Sequence, residues 1–306
     1  MRGWRRDATI FQSQPAQQAS HFSSRGFTRP DEYRRAHLCR VREAALTESR
    51  YLAGHHAVVT GGGHGIGGAV AEALATLGAS LALLGRDVAR LEAQAAALRE
   101  RGCDAAAFAC DVADEAAVER AFAASRERFG DAHVLVNNAG QAESAPFAET
   151  SRELWERMLA VNLTGTYLCT RQALPAMLAA KSGRIVNIAS TAGLRGYPKT
   201  AAYCAAKHGV VGLTRALALE TAKSGITVNA VCPGYTDTEM AQRAVDGIAS
   251  ALGKTQDEAR AMIVRVNPLG RLIAPEEVAA TVAWLCSPEA AAVTGQSIAV
   301  AGGEVM

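Results

Sequence analysis

His56-Ala57-Val58-Val59-Thr60-Gly61-Gly62-Gly63-His64-Gly65-Ile66-Gly67 is the stretch from which the fold is read. Ala57–Val59 is apolar without polar alternation, the pattern of a strand buried on both faces of a parallel sheet. The glycines that follow let the backbone turn tightly, and helical periodicity starts at once, over 65–78. A glycine turn between a strand and a helix can bring main-chain N–H groups and a helix N-terminus up to a pyrophosphate. The spacing is Gly-x-x-x-Gly-x-Gly rather than G-x-G-x-x-G, so a plain glycine turn competes with this reading. The position of the turn, at the head of the pattern described next, favours nucleotide binding, with Gly61, His64, Gly65, Ile66 and Gly67 as the contacts.

Outward from this stretch, short apolar runs recur at Ser80–Leu84, Ala105–Cys110, His133–Val136, Arg184–Ile188, Thr227–Val231 and Ser297–Val300. Stretches of helical period separate them, at 65–78, 87–101, 114–129, 151–180, 200–223 and 275–286. Regular alternation of strand and helix predicts an α/β doubly wound parallel sheet, Rossmann-like, forming one domain over 52–306.

Residues 1–50 lack such periodicity and are rich in Arg, Gln and Ser. They read as a disordered extension or a start-site artefact, ahead of a targeting peptide, because Asp7, Asp31, Glu32, Glu43 and Glu48 oppose the latter. The whole chain of 306 residues carries a net charge of only +2, which gives no polyanion-binding signature and so no nucleic-acid partner. No run is long and apolar enough to span a bilayer, so no membrane partner is expected. Seven cysteines without a C-x-x-C suit reduced thiols in a cytoplasmic protein, and Cys110, Cys169, Cys232 and Cys286 read as core residues. The histidines show no ligand spacing, so no metal is expected.

Each strand exit carries residues suited to a dinucleotide. The second strand ends Leu84-Gly85-Arg86-Asp87. A carboxylate at position 85 would bond ribose hydroxyls, whereas glycine followed by Arg86 suits a 2′-phosphate, so NADP(H) is favoured over NAD(H). Asp87 is the expected helix N-cap. After the third strand, Asp111-Val112 offers an acceptor for an adenine amino group. After the fourth, Asn137-Asn138-Ala139-Gly140 offers amides to tie strand ends together and small residues to leave space.

Tyr203 and Lys207 fall one turn apart on a helix starting near Thr200, so a phenol and an ammonium face one small molecule. A neighbouring cation favours phenolate, which would bring the tyrosine proton nearer neutrality and make it a general acid/base.

Taken together these stretches resemble the short-chain dehydrogenase/reductase family over nearly everything from Ala57 to Gly303. Thr60–Gly67 is similar to its cofactor loop and Asn137–Gly140 to its Asn-Asn-Ala-Gly motif. Asn162, Ser190, Tyr203 and Lys207 match its catalytic tetrad, and Pro233-Gly234-Tyr235-Thr236-Asp237-Thr238 its nicotinamide-side loop. The resemblance implies hydride transfer between a nicotinamide and a carbonyl or secondary alcohol. Tyr203 would protonate the developing alkoxide, Ser190 would hydrogen-bond the same oxygen, Lys207 would lower the Tyr203 pKa and hold the ribose, and Asn162 would position a water. Pro233, Gly234, Thr236 and Thr238 would meet the carboxamide side, with Asn138, Ala139 and Gly140 beside the cofactor. Thr236 stands where the family commonly has Ile or Val.

The chain looks most similar to members that reduce 3-oxoacyl thioesters or polyketide ketones and to 3-hydroxyacyl-CoA dehydrogenases. Lys181, Arg184, Arg195 and Lys223 are candidates for a CoA or phosphopantetheine phosphate, with solvated surface charge as the equal alternative. Dehydrogenation of a sugar, steroid or small alcohol is the second reading, and a non-catalytic NADP(H)-sensing module the third. Substrate choice should lie in Gln141–Phe147, Leu194–Pro198 and a helical lid over Met240–Leu272. By analogy the family implies a homotetramer.

Overall fold

The computed structural model describes residues 50–306. All but Arg50 of the N-terminal extension, and with it the expectation of disorder there, lies outside the described residues.

Seven strands pair in parallel in the order β3-β2-β1-β4-β5-β6-β7. They are β1 His56–Thr60, β2 Ser80–Gly85, β3 Ala105–Ala109, β4 Val134–Asn137, β5 Gly183–Ile188, β6 Ile226–Pro233 and β7 Ser297–Val300. The helices are α1 Gly65–Thr76, α2 Val88–Glu100, α3 Glu115–Phe129, α4 Arg152–Leu159, α5 Gly165–Ala180, α6 Ala201–Thr221, α7 Glu239–Leu252, α8 Gln256–Val264 and α9 Pro275–Leu285. Every strand expected from sequence is present, with ends moved by one or two residues.

The strands lack polar alternation because successive side chains enter two different cores. On one face Ala57, Val59, Leu81, Leu83, Val134 and Val136 pack under Val70 and Leu74 of α1, Leu91 and Leu98 of α2 and Val282 and Leu285 of α9. On the other, Val58, Leu84, Leu135, Ile185 and Val228 pack under Val118 and Phe122 of α3 and Leu168 and Met177 of α5. The chain departs from β1 toward β2 on one side and later returns to β4 on the other, so the loops after β1 and β4 diverge. That opens the crevice in which sheets of this type bind their ligands.

The helix expected over 151–180 is interrupted. Between α4 and α5, Ala160–Thr164 forms a single wide turn of π-helix. Such turns take up one extra residue and gather at functional positions, and this one contains Asn162. The lid expected over Met240–Leu272 is a helical pair, α7 and α8, with a small core of its own from Val245, Ala249, Ala259, Ile263 and Leu272.

Candidate active site

The residues singled out from sequence gather at the C-terminal ends of β1, β4, β5 and β6. Parallel pairing lines up every strand exit on one edge, where the cofactor loop, Asn138 and Ser190 lie, and α6 and the π-turn bring Tyr203, Lys207 and Asn162 to the same edge.

The cofactor loop begins with Gly61 at φ 65°, in the left-handed region that glycine enters without steric penalty. Its carbonyl lies where α1 starts, so close that a Cβ on Gly67 would stand 2.1 Å from the Gly61 oxygen. Only glycine allows that approach. His64 precedes α1 in extended backbone and is exposed; it gives no side-chain cap, and no acid lies in the first turn of α1. The N–H groups at this helix end are therefore left to an anion. Thr238, at the head of α7, packs over Gly65 from the opposite wall.

Asn138 fixes the two diverging loops together. Its side-chain amide donates to the carbonyls of Thr60 at 3.0 Å and Gly61 at 3.2 Å, while its own N–H and that of Ala139 donate to the Thr60 hydroxyl, each at 3.0 Å. Asn137 ties β4 to β5 through Asn187 at 2.8 Å. Arg86 is exposed at the tip of β2, without an ion pair among the described residues. Asp87 caps α2, accepting from the Arg90 N–H at 3.1 Å. Asp111 is partly engaged, accepting from the Ala113 N–H at 3.0 Å, and Val112 is buried against Gly165. Pro233 ends β6. Beyond it Thr236 is buried and bridges to Ile273, with its hydroxyl on the Gly234 carbonyl at 3.0 Å; the Thr238 hydroxyl donates to the Thr236 carbonyl at 3.2 Å. The positive-φ glycine turn, the uncapped helix end and the exposed Gly140 fit a dinucleotide.

Ser190, Tyr203 and Lys207 come together, as their spacing predicts. Ser190 caps the short turn Thr191–Gly193, its hydroxyl accepting from the Ala192 N–H at 3.1 Å, and it also hydrogen-bonds the Tyr203 phenol. Lys207 is 4% exposed; its Nζ donates to the Ile188 carbonyl at 2.8 Å and lies 5.8 Å from the centre of the Tyr203 ring. Asn162 is held in the π-turn by two donated bonds, to Gln141 O at 2.9 Å and Met158 O at 3.0 Å, and accepts from the Gln141 N–H at 3.2 Å. A Cβ on Gly140 would lie 2.8 Å from the Asn162 oxygen and 3.6 Å from Lys207 Nζ, so the two groups flank that glycine.

The electrostatics differ from the expectation. Burial pushes the Tyr203 phenol up to about 12, and the hydrogen bond from Ser190 lowers it only in part. Burial also brings Lys207 down to about 8. Desolvation of both groups outweighs the attraction expected between them, because Nζ spends a bond on Ile188 rather than on the phenol.

Three of the four candidate phosphate contacts are misplaced for the task. Lys181 and Arg184 lie at the start of β5, and Lys223 just before β6, at the end of the sheet opposite to Ser190. Arg195 is on the correct edge but is engaged: Nη1 donates to the Glu304 carbonyl at 3.2 Å, and the guanidinium lies 4.6 Å from the Tyr197 ring centre. Glu304 itself was missed from sequence. Its signal is a lone acid directly after Gly302-Gly303, between apolar residues.

A dinucleotide crevice beside a Ser-Tyr-Lys set defines a nicotinamide-dependent oxidoreductase. Residues 49–304 match the family model described as Enoyl-(Acyl carrier protein) reductase, and the chain belongs to the short-chain dehydrogenase/reductase family. It is 47% identical over 249 residues to a granaticin polyketide synthase protein of Streptomyces violaceoruber named as a ketoacyl reductase, covering 81% of this chain and 92% of that one. It is 38% identical over 255 residues to the D-beta-hydroxybutyrate dehydrogenase of Cupriavidus necator, covering 83% and 99%. Among solved structures, a tryptophan variant of the actinorhodin polyketide ketoreductase with NADPH superposes with a TM-score of 0.79 at 44% identity, covering 82% of this chain and 97% of that one. The protein is an oxidoreductase that interconverts a ketone and a secondary alcohol. No helix among the described residues is long and apolar enough to cross a membrane.

Proposed function

We propose that the chain is an NADP(H)-preferring ketoreductase acting on a 3-oxoacyl thioester, carrier-protein or CoA linked. The observation that carries the site assignment is the convergence of Ser190, Tyr203 and Lys207 at the exit of β5. When bound, the nicotinamide supplies or accepts the hydride. Tyr203 delivers the proton to the carbonyl oxygen as it becomes an alkoxide, and a phenol that stays protonated up to high pH is loaded for that direction. Ser190 donates to the same oxygen and stabilises the charge that develops there. Lys207 holds the nicotinamide ribose with the protons not given to Ile188. Asn162 keeps Gln141 and the Gly140 backbone in place and positions a water beside Lys207.

Gly61, His64, Gly65, Ile66 and Gly67 would hold the pyrophosphate, Asp111 and Val112 the adenine, and Pro233, Gly234, Thr236 and Thr238 the carboxamide, with Asn138, Ala139 and Gly140 beside the cofactor. Arg86, exposed and unpaired among the described residues beside Gly85, supports NADP(H). The polyketide ketoreductase relatives support the thioester. The hydroxybutyrate dehydrogenase supports the second reading, oxidation of a small hydroxy compound. The protein works in the cytoplasm as a homotetramer; exposed Tyr167 on α5, Leu219 on α6 and Trp284 on α9 supply apolar surface for subunit contacts.

The test is oxidation of NADPH and NADH, side by side, with acetoacetyl-CoA. Faster turnover with NADPH, and an Arg86→Ala variant whose KM rises about tenfold for NADPH alone, are expected. Turnover with NADH only would reject the Arg86 assignment. Tyr203→Phe should lower turnover by about 10²- to 10⁴-fold while nicotinamide fluorescence still reports cofactor binding; unchanged turnover would reject the proton donor.

A further inference from the structure

Glu304 is a buried acid outside the catalytic set. Its side chain is 1% exposed, yet only one carboxylate oxygen is satisfied. Oε1 accepts from the Tyr197 hydroxyl and lies 4.0 Å from Arg195 Nη2, while Arg195 Nη1 bonds the Glu304 carbonyl at 3.2 Å. Oε2 has no partner among the described residues. It rests against Gly234, where a Cβ would approach it to 2.9 Å and push the carboxylate aside.

These contacts join three separate pieces of chain. Tyr197 and Arg195 belong to the loop between β5 and α6, which runs from Ser190 to Tyr203. Gly234 opens the loop after β6. Glu304 lies in the segment after β7. Tyr235, next to Gly234, is near enough to both groups to register on each: the carboxylate helps to raise the Tyr235 phenol, and Tyr235 helps to raise Tyr203, in both cases behind burial as the main cause. Tyr197 bonds Glu304, and Tyr235 follows the glycine on which the free oxygen of Glu304 rests.

We propose that Glu304 is a positioning residue for the substrate pocket, a carboxylate latch that clamps the Tyr197 loop to the Gly234-Tyr235 loop and so fixes the wall facing Tyr203. This rests on the reading of the site as a carbonyl pocket. A buried carboxylate lacking a partner for one oxygen is costly to the fold, and a hydrogen bond to a charged group holds its partner more tightly than a neutral one. The arrangement therefore suits a joint that must be stiff when substrate arrives. Arg195, half-exposed, steers the carboxylate by stacking on the ring that donates to it.

The experiment uses the full-length enzyme and three variants, Glu304→Ala, Glu304→Gln and Tyr197→Phe. Tyr197→Phe removes one hydroxyl and keeps the ring under Arg195, so it stands if the alanine variant fails to fold. The alanine and phenylalanine variants should raise the KM for the carbonyl substrate about tenfold, with kcat within about twofold and cofactor affinity by fluorescence titration unchanged. Glutamine still accepts from Tyr197, as a neutral acceptor, and should recover part of the loss. Amide hydrogen exchange should accelerate in 194–199 and 234–237 and nowhere else. Unchanged KM and exchange in Tyr197→Phe would overturn the latch. So would a joint fall in kcat, cofactor affinity and Tm that glutamine does not relieve, since that marks a purely structural acid. If the native enzyme reduces no carbonyl compound, the functional reading fails on its own. Exchange then decides the latch: acceleration confined to the two loops supports it, and uniform or absent acceleration overturns it.

Discussion

Lys207 shows how one side chain can work against stability and for the site at once. Burial disfavours the ammonium and brings its pKa down from the ordinary 10.5 to about 8. The unfolded chain therefore binds this proton more tightly between those two values, so stability rises with pH across that window. The penalty is fully present below pH 8 and is relieved as the lysine deprotonates. Lys207→Met should be more stable than the native chain at pH 7 by up to about 3 kcal/mol, with the gap closing toward pH 10. Urea unfolding of both proteins at pH 7, 8, 9 and 10 measures it; a gap that stays constant with pH would disprove the assignment. Tyr203 and Cys232, raised by burial to about 12 and about 11, act in the opposite sense and only at the alkaline end. At this scale the sequence was informative about which groups meet, because i, i+4 spacing fixes the face. It did not reveal which effect sets their pKa values, since desolvation depends on the loops that close over them.

At the scale of elements, the junction of β1 with α1 is the tightest in the cofactor half. Gly67→Ala would place a methyl within 2.1 Å of the Gly61 carbonyl and within 2.5 Å of the Asn138 amide. Backbone must move, so a loss of about 1–3 kcal/mol is expected, together with cofactor affinity weakened well beyond tenfold. Thermal unfolding and fluorescence titration of Gly67→Ala give the two numbers; retained affinity would show that the loop geometry is not what binds. The strands were legible from sequence because each is a short apolar run with Gly, Asn or Asp close by, and the central ones, β1, β4, β5 and β6, are buried on both faces and so lack polar alternation. The break in 151–180 was not, because a π-turn needs no proline or glycine, and Asn162 reads as an ordinary polar residue inside a helix. The pairing of Arg195 with Glu304 was unreadable for another reason: it spans 109 positions and depends on how three loops converge.

For the whole molecule, parallel pairing divides the sheet into a chemical edge and an inert one. Lys181, Arg184 and Lys223 sit on the inert edge, which a linear sequence cannot announce, because charge at a strand start and charge at a strand exit look alike. Large exposed apolar side chains also occur on the helices that flank the sheet. Leu219, 83% exposed on α6, is the most prominent of those on helices. If α5, α6 and α9 carry the subunit contacts, Leu219→Glu should shift the mass seen by light scattering from tetramer toward dimer or monomer while far-ultraviolet circular dichroism is unchanged. A native protein that runs as a monomer would remove the homotetramer from the account.

The π-turn at Ala160–Thr164 also acts as a change of phase along an otherwise unbroken rod. Before it, Leu154 and Met158 of α4 point toward Ala202 of α6. After it, Leu168, Cys169, Ala173 and Met177 of α5 point into the core beneath the sheet. One surplus residue advances the apolar stripe by about 100°, the rotation of a single helical step. A single rod can thereby line the reactive crevice with its first half and roof the sheet with its second, and neither half can be shortened by one residue without turning the other to face the wrong neighbour.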